Sequence, residues 1–583
     1  MIPFSQQLLR SAVATGVLCT LAACGDSDSP GAPDRPSPPL GLSATALSSS
    51  SIRVSFNSAA GDNSYVVERA EGAGTFAMAG SVTAPATAGA VTFADANLKR
   101  ETLYRYRVKA QRGTQESDYT NETAATTLAF GSAAKDITAD ITSNTTFNAD
   151  TAYTLKGFIH VTNGATLTIQ PGTTIKGDYA TLGSSLFVMR GAKIQAVGTV
   201  DAPIVFTSSR GVGQRSPGDW GGVIIIGNAR SSRDGDVEVE GSGTDGTTVA
   251  SGKNYRVLYS GGTSDTDSSG ELKYVRVEFA GFAPSVNNEL NSFTFAAVGS
   301  GTRLSYLESL SGLDDSFEFF GGTVDGSYLV SYESGDDHFD MSEGYRGRLQ
   351  YLVAYQSTVL TPRTGAGSVS TDPQGIENDG CNGTGCTNGF DQAPFTTPVV
   401  ANYSLVGTGD ASTSGASGGV GVMLRRGTGG YYVNGVLARW PRSAIAVRDA
   451  ETYKRAGNAP IPDIATSDLA VRNILIASSG TTFETGSARY AFDIAGNAIT
   501  VNPTLAITDL FTAIPDVASP NTTAASFDWT PKAGSAAAAG GLAAFTGKLA
   551  TAAGAAVTGT PYLGAAAPGG SKWWQGWTYY ARQ

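Results

Sequence analysis

Two histidines, His160 and His338, are all that 583 residues contain. That scarcity argues against a multi-histidine zinc centre and leaves a Ser-His-Asp triad almost nothing to draw on. Charge is sparse as well: Lys, Arg, Asp and Glu make up 16% of the chain, and the formal net charge is −11. There is no Lys/Arg excess to neutralise phosphates, which excludes nucleic acid as a partner and also electrostatic docking on an anionic membrane. Long helical periodicities are missing. Past the first two dozen residues no run of 18 apolar side chains occurs, so no transmembrane helix is expected. Cysteine is rare too, with four in the chain.

Glycine is abundant, 73 of 583 residues, beside many Thr, Ser, Val and Tyr. That is the composition of an all-β extracellular protein with many tight turns. The length exceeds what one compact core holds, so two or more units are expected.

The first residues read as a targeting segment, with Arg10 as positive flank and Ser11–Thr20 as the apolar stretch. Leu21-Ala22-Ala23-Cys24-Gly25 follows and resembles a bacterial lipobox. The resemblance implies a signal peptide over 1–23, cleavage before Cys24 and lipidation of that residue; the alternative is an ordinary secretory peptide cut after Ala23. Several acyl chains on one residue give a durable anchor in the lipid bilayer. With Gly25 rather than Asp after the cysteine, the resemblance favours the outer membrane, facing the periplasm or the cell surface. Cys19 leaves with the signal, so Cys381 and Cys386 remain, with four residues between them in DGCNGTGCTNG. A disulfide closing this loop is the favoured pairing in an oxidising compartment, since a two-cysteine metal site would need further ligands.

Residues 24–37 are Pro/Ser/Asp-rich and read as a flexible linker. From Leu40 the pattern turns period-2, in SIRVSF, SYVVERA and YRYRVKA, as half-buried antiparallel strands do. Leu98-x5-Tyr104 with Tyr106, Val108 and Ala110 resembles the tyrosine corner and following strand of a fibronectin type III domain, over about residues 38–128. Phe56 stands where that family usually has Trp. The resemblance implies a spacer.

The remainder, 129–583, repeats itself. GFIHVTNGATLTIQPGTTIKGD is answered 27 residues on, with Ile159 and Val161 falling on Leu186 and Val188, and Leu167 and Ile169 on Ile194 and Ala196. At an offset of 22, Asp314, Asp315, Phe317 and Glu318 fall on Asp336, Asp337, Phe339 and Asp340. Tyr306, Tyr328 and Tyr351 keep the same beat, and Asn402, Asn434 and Asn473 read as equivalent corners. Short strands separated by Gly or Asn corners at such spacing make a solenoid. The opening resembles the pectate-lyase-like right-handed parallel β-helix superfamily, which implies a fold more than an activity. Residues 230–272 and 357–395 read as excursions from the coil. The final segment, with Trp573, Trp574 and Trp577, reads as a cap over the last open coil.

If Leu313–Phe320 is extended, Asp315, Phe317 and Phe319 point one way and Asp314, Ser316 and Glu318 the other. One coil on, Phe339 points inward while Asp336, His338 and Asp340 point outward. The expectation is a solvent ledge of Asp314, Glu318, Asp336, His338 and Asp340. Carboxylates stacked ~4.8 Å apart repel by about 3.5 kcal/mol per pair at an effective dielectric of 20. Three arrangements offset this: Asx turns at the corners, a bound Ca²⁺, or catalytic carboxylates with a raised pKa. Glu377 and Asp379, beside the cysteine loop, form a second acidic knot with a solvated loop as its plainer reading. Arg425 and Arg426 are among the cations that could serve a lyase. Gly241-x-Gly243-x-x-Gly246 and Gly415-Ala416-Ser417-Gly418-Gly419 match known motifs in letters only, without the required context.

The functional expectation is a non-catalytic, surface-anchored binding or structural lipoprotein for glycans or partner proteins. The alternative is a polysaccharide lyase or glycoside hydrolase using the Asp314–Asp340 ledge.

Overall fold

In the computed structural model the described residues are 35–46, 51–85, 87–95, 98–129, 133–242, 257–284, 288–370, 373–410, 419–515, 518 and 522–581. The signal peptide, Cys24 and most of the linker lie outside them, as do most residues of the two glycine motifs.

The chain divides into two compact units. The first is built on two β-sheets, one of Leu40–Ala46, Ile52–Asn57 and Ala90–Asp95, the other of Ala77–Thr83, Ser64–Glu71, Leu103–Arg112 and Gln115–Glu116. Ser64–Glu71 pairs antiparallel with both of its neighbours. Alternation drives the packing: Tyr104, Tyr106, Val108 and Ala110 are buried while the residues between them are not. Phe56 sits in this core edge-on to Tyr65, ring centroids 4.9 Å apart. It is a β-sandwich. Arg35, expected in the linker, already bonds Glu116 O and the Asp118 carboxylate.

The second unit is a right-handed parallel β-helix. A short sheet of ten strands runs from Phe158–Val161 through Phe293–Ala296, Phe317–Phe320, Asp340–Ser342, Ile376–Asp379 and Val420–Arg425 to Thr481–Phe483. A longer sheet runs from Ala133–Ile137 through Gly270–Glu278, Arg303–Gly312, Asp325–Ser334, Arg348–Tyr355 and Val399–Val406 to Ile499–Asn502. The sequence repeats set the register. Ile159 pairs with Leu186, Leu167 with Ile194 and Glu318 with Asp340. Inside the coil Phe293, Phe317 and Phe339 stack at 5.1 and 5.3 Å, beside Phe295, Phe319 and Tyr345 at 5.1 and 4.7 Å. Each ring continues the one below, and such offset stacking adds to what burial already gives.

The long strands are bent. Gly270–Glu278 pairs through its first half with Lys193–Val197 and through its second with Ile204–Ser208, so two earlier strands fuse into one. The elbow is Tyr274, at φ 51°. Tyr306, Tyr328, Tyr351, Asn402, Asn434 and Asn473 stand above it in register, all with φ between 55° and 65°. The left-handed region costs a residue with a Cβ about 1–2 kcal/mol. Asn tolerates it best, and the tyrosines offset it by stacking at 4.5–4.9 Å.

The C-terminal segment does not close the last coil. Ile507, Phe511, Phe527, Trp529, Trp574, Trp577 and Tyr580 pack on the outer flank of the long sheet against Leu310, Tyr332, Tyr355, Val406 and Ala438. Trp577 meets Tyr274 and Tyr306 edge-on, at 5.7 and 6.1 Å, in the middle of the solenoid. The outer half of each bent strand is apolar, and that stripe draws the tail along it.

Candidate functional site: an acidic cleft on the short sheet

Each coil turns from the long sheet to the short one through a corner, and at four successive corners a side chain accepts the backbone N–H of the next. Asn291 Oδ1 takes Asp315 N at 3.1 Å, Asp315 Oδ1 takes Asp337 N at 2.8 Å, Asp337 Oδ1 takes Gln374 N at 2.5 Å, and Gln374 Oε1 takes Val420 N at 2.9 Å. Asp315 and Asp337 thus hold the corners by hydrogen bonds to backbone N–H groups, but from one coil to the next and not through the local bond of an Asx turn. This corrects the expectation that Asp315 follows Phe317 into the core. Residues 313–316 and 335–339 are bends, not strands, and alternation fails there.

His338 is corrected for the same reason. The corner turns it inward, where it is 1% exposed, and its Nδ1 lies 2.5 Å from Ser331 Oγ. Burial pushes its pKa down to about 3, so the ring is neutral. It has no place on the ledge. His160, on the outer face of the strand Phe158–Val161, is buried, 3.1 Å from Asp140 Oδ1 and stacked on Phe187.

Outside the corner ladder, Asp314, Glu318, Asp336 and Asp340 share one cleft of about 700 Å³. Glu318 and Asp340 come from the outer face of the short sheet, in register, and Glu377 stands next above Asp340. The cleft wall comes from insertions, which add Glu240, Glu289, Ala283 and the stretch Gly367–Ser370. Nine carboxylates line it: Glu240, Glu289, Asp314, Asp315, Glu318, Asp336, Asp337, Asp340 and Glu377. Among the described residues that line it, Arg425 is the one cation.

Glu377 and Asp379 are not in a solvated loop. They belong to the buried strand Ile376–Asp379, where Arg425 Nε bonds Asp379 at 2.8 Å and its Nη2 bonds Glu377. Arg426 bonds Asp379 as well. The loop that follows is closed by the Cys381–Cys386 disulfide. Arg233, from the preceding insertion, bonds the Asn382 carbonyl and Glu343, tying the two insertions together. Glu240, Glu289 and Arg233 were missed from sequence because no repeat links them to the coil.

The electrostatics follow from confinement. Burial, and then Asp336, hold the Asp314 carboxyl well above its ordinary range; burial, Glu240 and Asp340 do so for Glu318; burial and Asp379 do so for Asp340. Glu240 is likewise pushed up, to about 8, by burial and Glu289. Oxygens of Asp314, Asp315 and Asp336 lie within 4.8 Å of one another, as do those of Asp315, Asp337 and Asp340. Asp340 Oδ1 is buried and has no hydrogen-bond partner among the described residues. Dense, hard oxygen donors with one oxygen left unsatisfied form a cluster that could hold a metal ion.

Residues 139–510 match the family described as the pectate-lyase like beta helix domain. That is well over half the chain, and the protein belongs to this family. No curated protein matches it. Among solved structures, a pectate lyase, Pel3 from Pectobacterium carotovorum, is similar at 8% identity over 79% of this chain and 99% of that one, TM-score 0.13. Titin kinase with its flanking domains is similar at 22% identity over 16% of this chain, TM-score 0.15, and the chain spans 17% of that structure. The sensor domain of the anti-sigma factor RsgI4 in Pseudobacteroides cellulosolvens is similar at 13% identity over 16% of this chain and 96% of that one, TM-score 0.13.

Proposed function

We propose that this is an exported, lipid-anchored carbohydrate-binding protein whose β-helix holds Ca²⁺ in the acidic cleft and engages an anionic glycan through it. The observation that carries the reading is the charge imbalance in a confined space: nine carboxylates against one guanidinium already bound to one of them, Glu377, and to Asp379 beyond them. A cation offsets that repulsion, and its open coordination positions then accept carboxylates of a ligand that the bare cleft would repel. Cys24 supplies the anchor in the outer membrane, and the N-terminal sandwich, in its resemblance to fibronectin type III domains, serves as the spacer. A partner protein at the cell surface is the other ligand class for such a face.

Binding is favoured over lyase chemistry by the state of Arg425. Its carboxylate partners push its pKa further up, so it cannot take a proton as a general base. A glycoside hydrolase is the second reading, and one observation favours it. Carboxyls with raised pKa keep their protons towards neutrality, as a general acid must. The test is calorimetry of the soluble 25–583 fragment with Ca²⁺, then with polygalacturonate and alginate in Ca²⁺ or in chelator. Calcium-dependent binding without release of reducing or unsaturated ends is expected. Release of such ends, abolished by Asp336→Ala, would establish an enzyme instead.

A further inference from the structure

Beside the large cleft, and sharing Glu240, Glu318, Asp340 and Glu377 with it, lies a second chamber of about 190 Å³. At ~30 Å³ per water it has the room of about six waters, the scale of one sugar ring. Three of its lining side chains carry a buried polar atom with no hydrogen-bond partner among the described residues: Ser342 Oγ, Arg233 Nε and Asp340 Oδ1. Buried polar groups are ordinarily satisfied, and orphans gathered in one chamber mark where a ligand's polar atoms belong. Ser342 is 7% exposed and leaves the outer face of the short sheet directly above Phe320, its partner in register. Phe320 lines the same chamber and gives it an apolar wall.

The charge of the walls narrows the ligand. Six carboxylates line the chamber against two guanidiniums, Arg233 and Arg426, which already pair with Glu343 and Asp379, so an anion is repelled, while a bare cation offers no acceptor to the orphan Arg233 Nε–H. A neutral polyhydroxyl ring meets neither objection. Its hydroxyls accept from Arg233 Nε–H and pair either way with Ser342 Oγ, while its C–H face covers Phe320, and Asp340 Oδ1 stays with the cation. We propose that this chamber is a subsite for a single neutral glycosyl unit adjoining the cation-held part of the ligand. The proposal rests on the carbohydrate reading of the cleft and adds to it a sugar whose binding needs no cation.

The experiment uses the soluble 25–583 fragment and neutral trisaccharides of glucose, mannose and galactose, followed by saturation-transfer NMR and calorimetry in Ca²⁺ and in chelator. At least one trisaccharide is expected to bind under both conditions. Ser342→Ala should weaken it roughly fivefold, the loss of one hydrogen bond. Ser342→Leu fills the chamber from the sheet, and Asn382→Trp blocks it from the loop without touching the coil; both should abolish sugar binding and leave calcium binding unchanged. The proposal is overturned if none of the three sugars binds, or if they bind Ser342→Leu and Asn382→Trp as they bind the parent. A parent protein that binds sugar but no calcium would sink the cation reading and leave the subsite standing.

Discussion

Asp315 Oδ1 accepts the backbone N–H of Asp337, the residue 22 positions on and one coil above, at 2.8 Å. Two aspartates that repeat in sequence are therefore joined head to tail through the backbone. Their neighbours Asp314 and Asp336, which repeat at the same offset, are left to face the cleft.

That division predicts different behaviour from chemically similar substitutions. Asp315→Ala strands the buried Asp337 N–H and should cost about 1–3 kcal/mol, whereas Asp315→Asn keeps an acceptor and should cost less. Thermal unfolding in chelator, where no cation contributes, measures the gap. Equal losses for the two variants would remove the ladder's role.

The cleft carboxyls predict an inverted pH dependence of stability. Folded pKa values of Asp314, Glu318, Asp340 and Glu377 are raised, so the folded state binds more protons than the unfolded one. Stability contributed by these groups is present below the ordinary carboxylate range, near pH 4, and falls as pH rises through the folded values. In chelator the melting temperature should drop as pH rises above about 4. Calcium should flatten that slope, because it takes the place of the protons it displaces. A melting temperature indifferent to calcium at pH 7 would count against a cation in the cleft.

Removing cleft donors should separate from damage to the coil. Asp336→Asn and Asp340→Asn are expected to weaken calcium binding at least about tenfold by calorimetry while leaving the circular dichroism of the β-helix unchanged. Glu271→Gln, on the outer side of the long sheet, serves as the control with parental affinity.

The flank strap gives a test independent of any ligand. Trp577 is fully buried against Tyr274 and Tyr306, and its carbonyl accepts from Arg276 Nη1 at 2.9 Å. Buried carboxylates hold its end: Glu308 accepts Tyr579 N at 2.9 Å, and Glu333 accepts from Tyr580 Oη. Trp577→Ala should cost about 3–5 kcal/mol, and limited proteolysis should then remove the tail before the coil is cut. Cleavage of coil and tail at equal rates would contradict that order.

Much of this protein could be read from its letters. In a solenoid, an offset in sequence is a neighbour in space, so the 22- and 27-residue repeats fixed which residues pair, and Phe317 over Phe339 needed no coordinates. The tyrosine and asparagine columns were legible for the same reason. What the letters could not decide was direction at the corners. Period-2 alternation holds for extended backbone, and Asp315, Asp337 and His338 sit in bends, so only the folded chain turned the first two into a hydrogen-bond ladder and the third into the core. Nor could they place Glu240, Glu289 and Arg233, which arrive on insertions with no period. The tail's course was hidden too, since three tryptophans fit an open end or an apolar flank equally well until the bent strands show which surface is apolar.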